Sequence, residues 1–159
     1  MEYEPEFKRE DNQEYFNLQD GQKALMRRIK ECDDELLNLK IPTWWLCGTK
    51  RKIESIQRKI MKIQKDFLGW REQAGKFCDN PHYKVETLPG DYTRIYLRLT
   101  MAMRDVINQC DSNRVLLVGN VNGKESDYRH QSNFLMAIIG LTAAFTGLIV
   151  AVYSLYLVL

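Results

Sequence analysis

Cys78 and His82 are the residues of this sequence best placed to do chemistry, because a thiolate and an imidazole four residues apart can share a metal ion or form a nucleophile pair. A zinc site would need two further ligands at a recognisable spacing, and a nucleophile pair would need a third group that orients the histidine. Neither can be identified, and the second histidine, His130, lies far along the chain. We therefore expect no catalytic residue and no metal site, and we do not expect an enzyme.

Gly119 and Gly123 follow the apolar run VLLV, as the glycines of a phosphate-binding loop follow a strand. The Lys-Ser/Thr pair that completes such a loop is missing here, and so is the start of a helix. We expect no nucleotide and no other cofactor.

The cysteines are widely separated and include no CxxC pair, so we expect reduced, structural thiols at Cys32, Cys47, Cys78 and Cys110. The N-terminal sequence is acidic and has neither the apolar stretch of a secretory signal nor the arginines of a transit peptide. No Asn-x-Ser/Thr glycosylation site occurs. These features favour a chain whose polar part stays in the cytosol.

The strongest pattern is a run of 26 residues, Phe134 to Leu159, that contains no charge, Pro, Asn or Gln. About 18 apolar residues are enough to cross a bilayer, and as a helix this run would be about 39 Å long against a hydrocarbon core of about 30 Å. We predict one C-terminal transmembrane helix over 134–159. The alternative is a buried core helix, which so small a domain could not enclose on all sides.

Basic residues precede the apolar run and none follows it, which by the positive-inside rule predicts a cytosolic body. The run would leave the ribosome only after translation ends, so the expected class is a tail-anchored, single-pass protein. A long apolar span without basic residues after it favours the endoplasmic reticulum or secretory pathway over the mitochondrial outer membrane.

Small residues recur within the run at spacings of three and four, which places them on one face of a helix. Close approach across small residues is how membrane helices associate, so the pattern predicts a packing face; the alternative is that Gly and Ala are simply common in such spans. The residues are Ala137, Gly140, Ala144, Gly147, Ala151 and Ser154.

Two amphipathic helices are predicted before the apolar run, one over 22–40 and one starting near Thr49 as its N-cap. Their apolar faces predict an antiparallel helical hairpin, and a third helix over 91–110 would extend it to a small three-helix bundle, so the fold class is all-α. The face residues are Leu25, Ile29, Leu36, Ile53, Ile56, Ile60, Ile63 and Phe67.

The chain is therefore divided into an acidic, flexible segment (1–20), a helical cytosolic body (21–118), a polar juxtamembrane link (119–133) and the transmembrane helix (134–159). Residues 75–90 are expected to interrupt the helices, since Asn80-Pro81 and Pro89-Gly90 are turn signals. Asparagines and glycines between 119 and 123 predict a turn at the start of the link.

The connection between the first two helices combines interfacial side chains, Trp44 and Trp45, with the cations Lys50, Arg51 and Lys52. This combination is typical of a contact with the membrane surface. The alternative is that the tryptophans cap the core of the hairpin. The basic stretch 50–76 reads as the solvated face of a helix, so nucleic acid is not an expected partner.

By elimination we predict a membrane adaptor or assembly subunit that works through helix-helix contacts of its body and its span, with the lipid bilayer and either a protein partner or a second copy as partners. One alternative is a membrane-fusion or trafficking factor of the SNARE type, whose heptads would run directly into the span. Here the residues before Phe134 are polar and show no such repeat. Another alternative is a pore or channel component, although the span offers no ionisable residue.

Overall fold

The computed structural model describes residues 8–42, 46, 48–84 and 92–158, with backbone only at 92, 94 and 155–158. These residues form three helices, α1 (Gln13–Leu37), α2 (Thr49–Asp79) and α3 (Tyr92–Val158), and contain no strand. The predicted all-α class is confirmed for the described part of the chain. The last helix is long and contains the apolar run.

The first helix starts earlier than expected, and the prediction of a flexible segment over 1–20 is wrong for residues 13–20. Tyr15 and Leu18 are buried on the same face of α1 as Leu25. The nearby acidic residues Glu14 and Asp20 point to solvent, so the charge density of the segment concealed its apolar period. Residues 1–7 lie outside the described part.

Two hydrogen bonds fasten the start of α1 to the segment that follows α2. The Asn12 side chain donates to the carbonyl oxygen of Lys84 at 2.9 Å and accepts from the Lys84 backbone N–H at 2.8 Å. Asn12 is buried, so a polar side chain at that depth needs both partners. These long-range bonds give the N-terminal turn of α1 a defined position.

The second helix starts where it was expected, but Gly48 rather than Thr49 occupies the N-cap position. Gly48 has a φ of 85°, a left-handed conformation that glycine adopts without a steric penalty. The helix continues through Gly75, inside the stretch expected to be interrupted, and ends at Asp79. Asn80 then precedes Pro81, which disfavours the helical conformation in the residue before it.

Helices α1 and α2 run in opposite directions, as their contacts show. Near the start of α1, the Trp70 indole N–H donates to the Leu18 carbonyl oxygen at 2.9 Å. Further along, Arg28 forms an ion pair with Asp66 at 2.7 Å. The partner's number falls along α2 as the residue number rises along α1, which is the relation of antiparallel neighbours.

Helix α3 runs in the same direction as α1. Asn120 donates to the Asp33 carboxylate at 2.9 Å, and Lys124 donates to the Leu39 carbonyl oxygen at 3.3 Å. Both numbers rise together along these two helices. The C-terminal end of α1 and the N-terminal end of α2 therefore lie beside α3 shortly before its apolar run.

All three helices contribute to two groups of buried side chains. The distal cluster, far from the apolar run, is rich in aromatic rings: Tyr15, Leu18, Leu25, Phe67, Trp70, Ala74, Phe77, Cys78, Tyr83, Met103 and Cys110. The proximal cluster, nearer the apolar run, is mainly aliphatic: Ile29, Cys32, Leu36, Leu39, Ile53, Ile56, Ile60, Ile63, Leu117 and Val121. All eight residues predicted for the helix faces are buried in these two clusters.

The predicted turn between 119 and 123 is wrong, because α3 is helical through this stretch. Leu117 and Val121 are 2% and 4% exposed within the proximal cluster, while Gly119 and Gly123 lie on the outer, exposed face. The burial of these two apolar side chains outweighs the local preference of Asn and Gly for turns. The expected juxtamembrane link is therefore helical, and α3 extends for about 100 Å without a break.

The first prediction tests the proximal cluster through Ile60, which is 4% exposed, and its neighbour Met61, which is 59% exposed. Ile60→Asp removes a buried aliphatic side chain and places an unpaired carboxylate in the cluster, so it should lower the free energy of unfolding by about 3–5 kcal/mol. Met61→Asp should change it by less than about 1 kcal/mol. Urea unfolding followed by circular dichroism in mild detergent would measure both. Equal stability of the two variants would contradict the described packing.

The second prediction tests the continuity of α3 at Gly119 and Gly123. A Cβ added at either position would meet nothing within 4 Å, and both residues are helical. Gly119→Ala and Gly123→Ala should each stabilise the protein by about 0.5–1 kcal/mol, because Ala loses less conformational freedom in a helix than Gly. Thermal unfolding would show the gain. A loss of stability in both variants would instead support a turn with positive φ.

Candidate membrane and partner interface

The side chains of the apolar run of α3 are exposed or half-buried from Phe134 to Ser154. This helix is the one candidate membrane span among the described residues, judged by length and composition, and none of its most apolar stretch is buried in the chain. Large apolar side chains face outward throughout, including Phe134, Leu141, Phe145, Leu148 and Val152. An apolar surface of this extent on a single helix is one that lipid or another protein must cover.

The three Ser and Thr hydroxyl groups in the run are satisfied within the helix. Thr142 donates to the Ile138 carbonyl oxygen at 2.8 Å, and Ser154 donates to that of Val150 at 2.8 Å. Thr146 makes the same bond one turn after Thr142, at 2.7 Å. Because these bonds give each Ser and Thr hydroxyl donor of the run an acceptor, these side chains are compatible with a hydrocarbon environment.

The predicted small-residue face is open. Its six residues, Ala137, Gly140, Ala144, Gly147, Ala151 and Ser154, are all exposed, and a Cβ added at Gly140 or Gly147 would meet nothing within 4 Å. No described residue of the chain packs on this face. Continuous helical geometry keeps the six positions on one side of α3, so a second helix could approach its backbone closely.

Packed residues recur on one face of α3 at spacings of four and three up to the start of the apolar run. The sequence analysis did not predict this repeat. The residues on it are Cys110, Arg114, Leu117, Val121, Lys124, Tyr128 and Gln131, and each is buried or half-buried. Arg, Lys, Tyr and Gln can pack the apolar part of their side chains while the polar end reaches a partner. A search for apolar residues alone therefore found no repeat after Cys110, whereas counting these long side chains would have found it.

Arg114 shows how a cation fits on this packed face. Its guanidinium lies over the Phe67 ring, 5.3 Å from the centroid, and donates to the Asp111 carboxylate at 2.7 Å. The ring face and the carboxylate together offset the partial loss of hydration of the charge. Arg114 thus joins α3 to α2 between the distal and the proximal clusters.

Lys124 fastens α3 to the C-terminal end of α1. Its ammonium group donates to the carbonyl oxygen of Leu39, and the last turn of α1 has no basic residue of its own. A positive charge near the C-terminal end of a helix is favourable because the carbonyl groups there are not paired within the helix. On the other side, the Gln57 amide donates to the Glu125 carboxylate at 2.8 Å and links α2 to α3 at the same level.

The cations predicted to contact a membrane surface lie at this end of the body. Lys50, Arg51 and Lys52 are exposed in the first turn of α2, close to the start of the apolar run. Trp44 and Trp45 lie outside the described residues, so the choice between a membrane contact and a capped core stays open for them.

Cys78 is buried in the distal cluster, whereas the His82 side chain is exposed. The described residues contain no group of three His, Cys, Asp or Glu side chains that could hold a metal ion. Cys32, Cys78 and Cys110 are free thiols in buried positions, and desolvation raises the pKa of each. A raised pKa lowers the thiolate fraction, so these cysteines have little nucleophilic character at neutral pH.

The third prediction concerns these thiols and uses the Cys47→Ser variant, which leaves only the three buried cysteines. In the folded protein at pH 8 they should react with a maleimide at least about tenfold more slowly than in denaturant, because burial both shields them and lowers their thiolate fraction. The rate should rise between pH 8 and pH 9. Mass spectrometry of the labelled chain would identify the site, and fast labelling of any of the three would contradict its burial.

Comparison with models of protein families, with curated proteins and with solved structures gives no match. A proposal about function therefore rests on how the three helices are arranged and on which surfaces they leave exposed.

Proposed function

We propose that the protein is a single-pass membrane adaptor or assembly subunit, in which α1, α2 and the first half of α3 form a three-helix bundle held at the membrane by the second half of α3. One observation carries the proposal. A single helix contributes to both core clusters with residues up to Val121 and then exposes large apolar side chains after Phe134. A bilayer would cover that surface, and the bundle would project from it.

The continuity of α3 supports an adaptor rather than an enzyme on a flexible tether. A helix without a loop transmits the orientation of the span to the body, so partners bound by either part would be held in a defined relation. The open small-residue face would be the contact within the membrane, either with a second copy or with a helix of another subunit. The exposed faces of α1 and α2 would be available to a protein in the surrounding solution.

We further propose that the body lies in the cytosol. Lys124 and Arg129 are within ten residues of Phe134 on the body side, and acidic residues nearby contribute little to orientation. The buried, unpaired thiols are consistent with a reducing compartment. An apolar segment of this length suits the thicker membranes of the secretory pathway.

A membrane-fusion or trafficking factor of the SNARE type is the second candidate. The packed face of α3 keeps its spacing of four and three up to Gln131, immediately before the apolar run. A repeat of packed positions therefore does lead up to the span, as expected for a protein of the SNARE type. The two candidates differ in whether α3 stays packed on α1 and α2 or exchanges them for helices of a partner, which hydrogen exchange at Leu117 and Val121 with and without bound partner would distinguish.

The fourth prediction tests insertion and orientation. The full chain should stay in the membrane on extraction with alkaline carbonate, while a chain lacking 134–159 should be released as a soluble protein. An Asn-x-Ser/Thr acceptor added after Leu159 should be glycosylated in microsomes, and one introduced at Gly90 should not. The opposite pattern would reverse the orientation, and extraction of the full chain would refute the span.

The fifth prediction tests assembly within the membrane through Gly147, at the centre of the small-residue face. Gly147→Leu should weaken association of the span by about 1–3 kcal/mol, because a large side chain would keep the partner backbone away along the whole face. Leu148→Ala, on a different face, should leave association unchanged. Both variants remain apolar enough to insert. Cross-linking in membranes would measure the effect, and full association of Gly147→Leu would refute the packing face.

A further inference from the structure

The C-terminal end of α1 and the N-terminal end of α2 lie at the end of the body nearest the apolar run. A shallow pocket there is lined by Lys50 and Ile53 of α2 and by Tyr128, Arg129 and Ser132 of α3. Ser132 is two residues before Phe134, a distance of about 3 Å along the helix axis. The first turn of α2 therefore lies level with the start of the apolar run.

A second pocket places the end of α1 at a similar level. It is lined by Lys40 and Ile41 on one side and by Asp127, His130 and Gln131 of α3 on the other. The start of the apolar run is thus flanked by Lys40 on one side and by the first turn of α2 on the other.

Positive charge is in excess at this end. Residues 37–54 and 124–133 contain six Lys and Arg against three Asp and Glu. Lys124 and Arg129 are engaged by the Leu39 carbonyl and the Glu125 carboxylate, and Lys50 lies 3.9 Å from Glu54.

The other three cations at this end, Lys40, Arg51 and Lys52, form no ion pair with a described residue. Glu31, Asp34 and Glu35 of α1 line the same cleft as Lys52. Glu31 pairs with Arg27 and Glu35 with Lys59. The Arg51 side chain is exposed. Asp127 lines the same pocket as Lys40, but the two side chains form no ion pair.

We propose that Lys40, Lys50, Arg51 and Lys52 form a basic collar that binds the phosphate-bearing headgroups of acidic phospholipids in the leaflet facing the body. This inference rests on the proposed membrane insertion, which sets the collar at headgroup depth. Cations within a Debye length of an anionic surface are attracted to it, and long Lys and Arg side chains reach it from a helix end. The collar would hold the body against the membrane and would favour leaflets rich in acidic lipid.

The test uses the full chain in nanodiscs of three parts phosphatidylcholine to one part phosphatidylserine. Native mass spectrometry of the released protein counts the molecules of each lipid that stay bound. The parent should retain phosphatidylserine in preference to phosphatidylcholine, and the variant Lys50→Gln/Arg51→Gln/Lys52→Gln should lose that preference by about tenfold. Reconstitution in 0.5 M salt, on the order of the concentration that shortens the Debye length below 5 Å, should reduce the parent's preference as well.

The matched control is Arg58→Gln/Lys62→Gln/Lys65→Gln, which removes three exposed cations from the same helix farther from the apolar run. It should bind phosphatidylserine as the parent does. Circular dichroism would show that both variants keep their helices, which is expected because all six side chains are exposed.

The inference is overturned if the collar variant keeps the parent's preference, or if the control variant loses as much. Alkaline extraction of the parent separates this failure from failure of the proposed function. A parent that resists extraction but binds both lipids equally refutes the collar alone. A parent that is extracted refutes the membrane span, and the collar falls with it.

Discussion

The packing of α3 against α1 and α2 is the contact on which the rest of the structure depends. Leu117 and Val121 enter the proximal cluster beside side chains of both other helices, and their burial keeps α3 helical through a stretch rich in Asn and Gly. Burial of one such side chain is worth about 1.5–3 kcal/mol, which exceeds the helix penalty of about 1 kcal/mol for a single glycine. Without that packing, body and apolar run would be two elements joined by a link.

Polar side chains determine how the helices are aligned. The Asn12 amide holds the start of α1 to Lys84, the Arg114 guanidinium lies over Phe67, and the Lys124 ammonium reaches the end of α1. Each bond joins residues that are far apart in sequence and would be lost if a helix slipped by one turn. The apolar clusters supply most of the stabilisation, whereas these bonds select one register among several that would bury similar area.

The same packing brings the connection between α1 and α2 to the level where the apolar run begins. In a membrane, the open small-residue face would meet other helices and the cationic helix ends would meet headgroups, so each part of the proposed function has its own surface. A rigid helix shared by body and span would make these contacts dependent on one another, since tilting the span moves the body. This dependence is what distinguishes the proposed adaptor from a domain on a flexible tether.

The features that depend on local periodicity could be predicted from the order of the amino acids alone. The residues of the α1 and α2 faces, from Leu25 to Phe67, and the apolar run after Phe134 could be read directly, because a helix repeats every 3.6 residues and buried positions follow that repeat. The small-residue face of the run was predicted from the same helical repeat.

Three features depend on packing between helices instead: residues 13–20 are helical, 119–133 continue α3, and Lys124 and Gln131 belong to its packed face. In each case the local signal was charge, Asn or Gly, which favours solvent or a turn. The deciding energy came from neighbours distant in the chain, such as Phe77 and Tyr83 around Tyr15. Local residue preferences are worth less than about 1 kcal/mol per position, so burial against a partner helix overrides them wherever that partner is present.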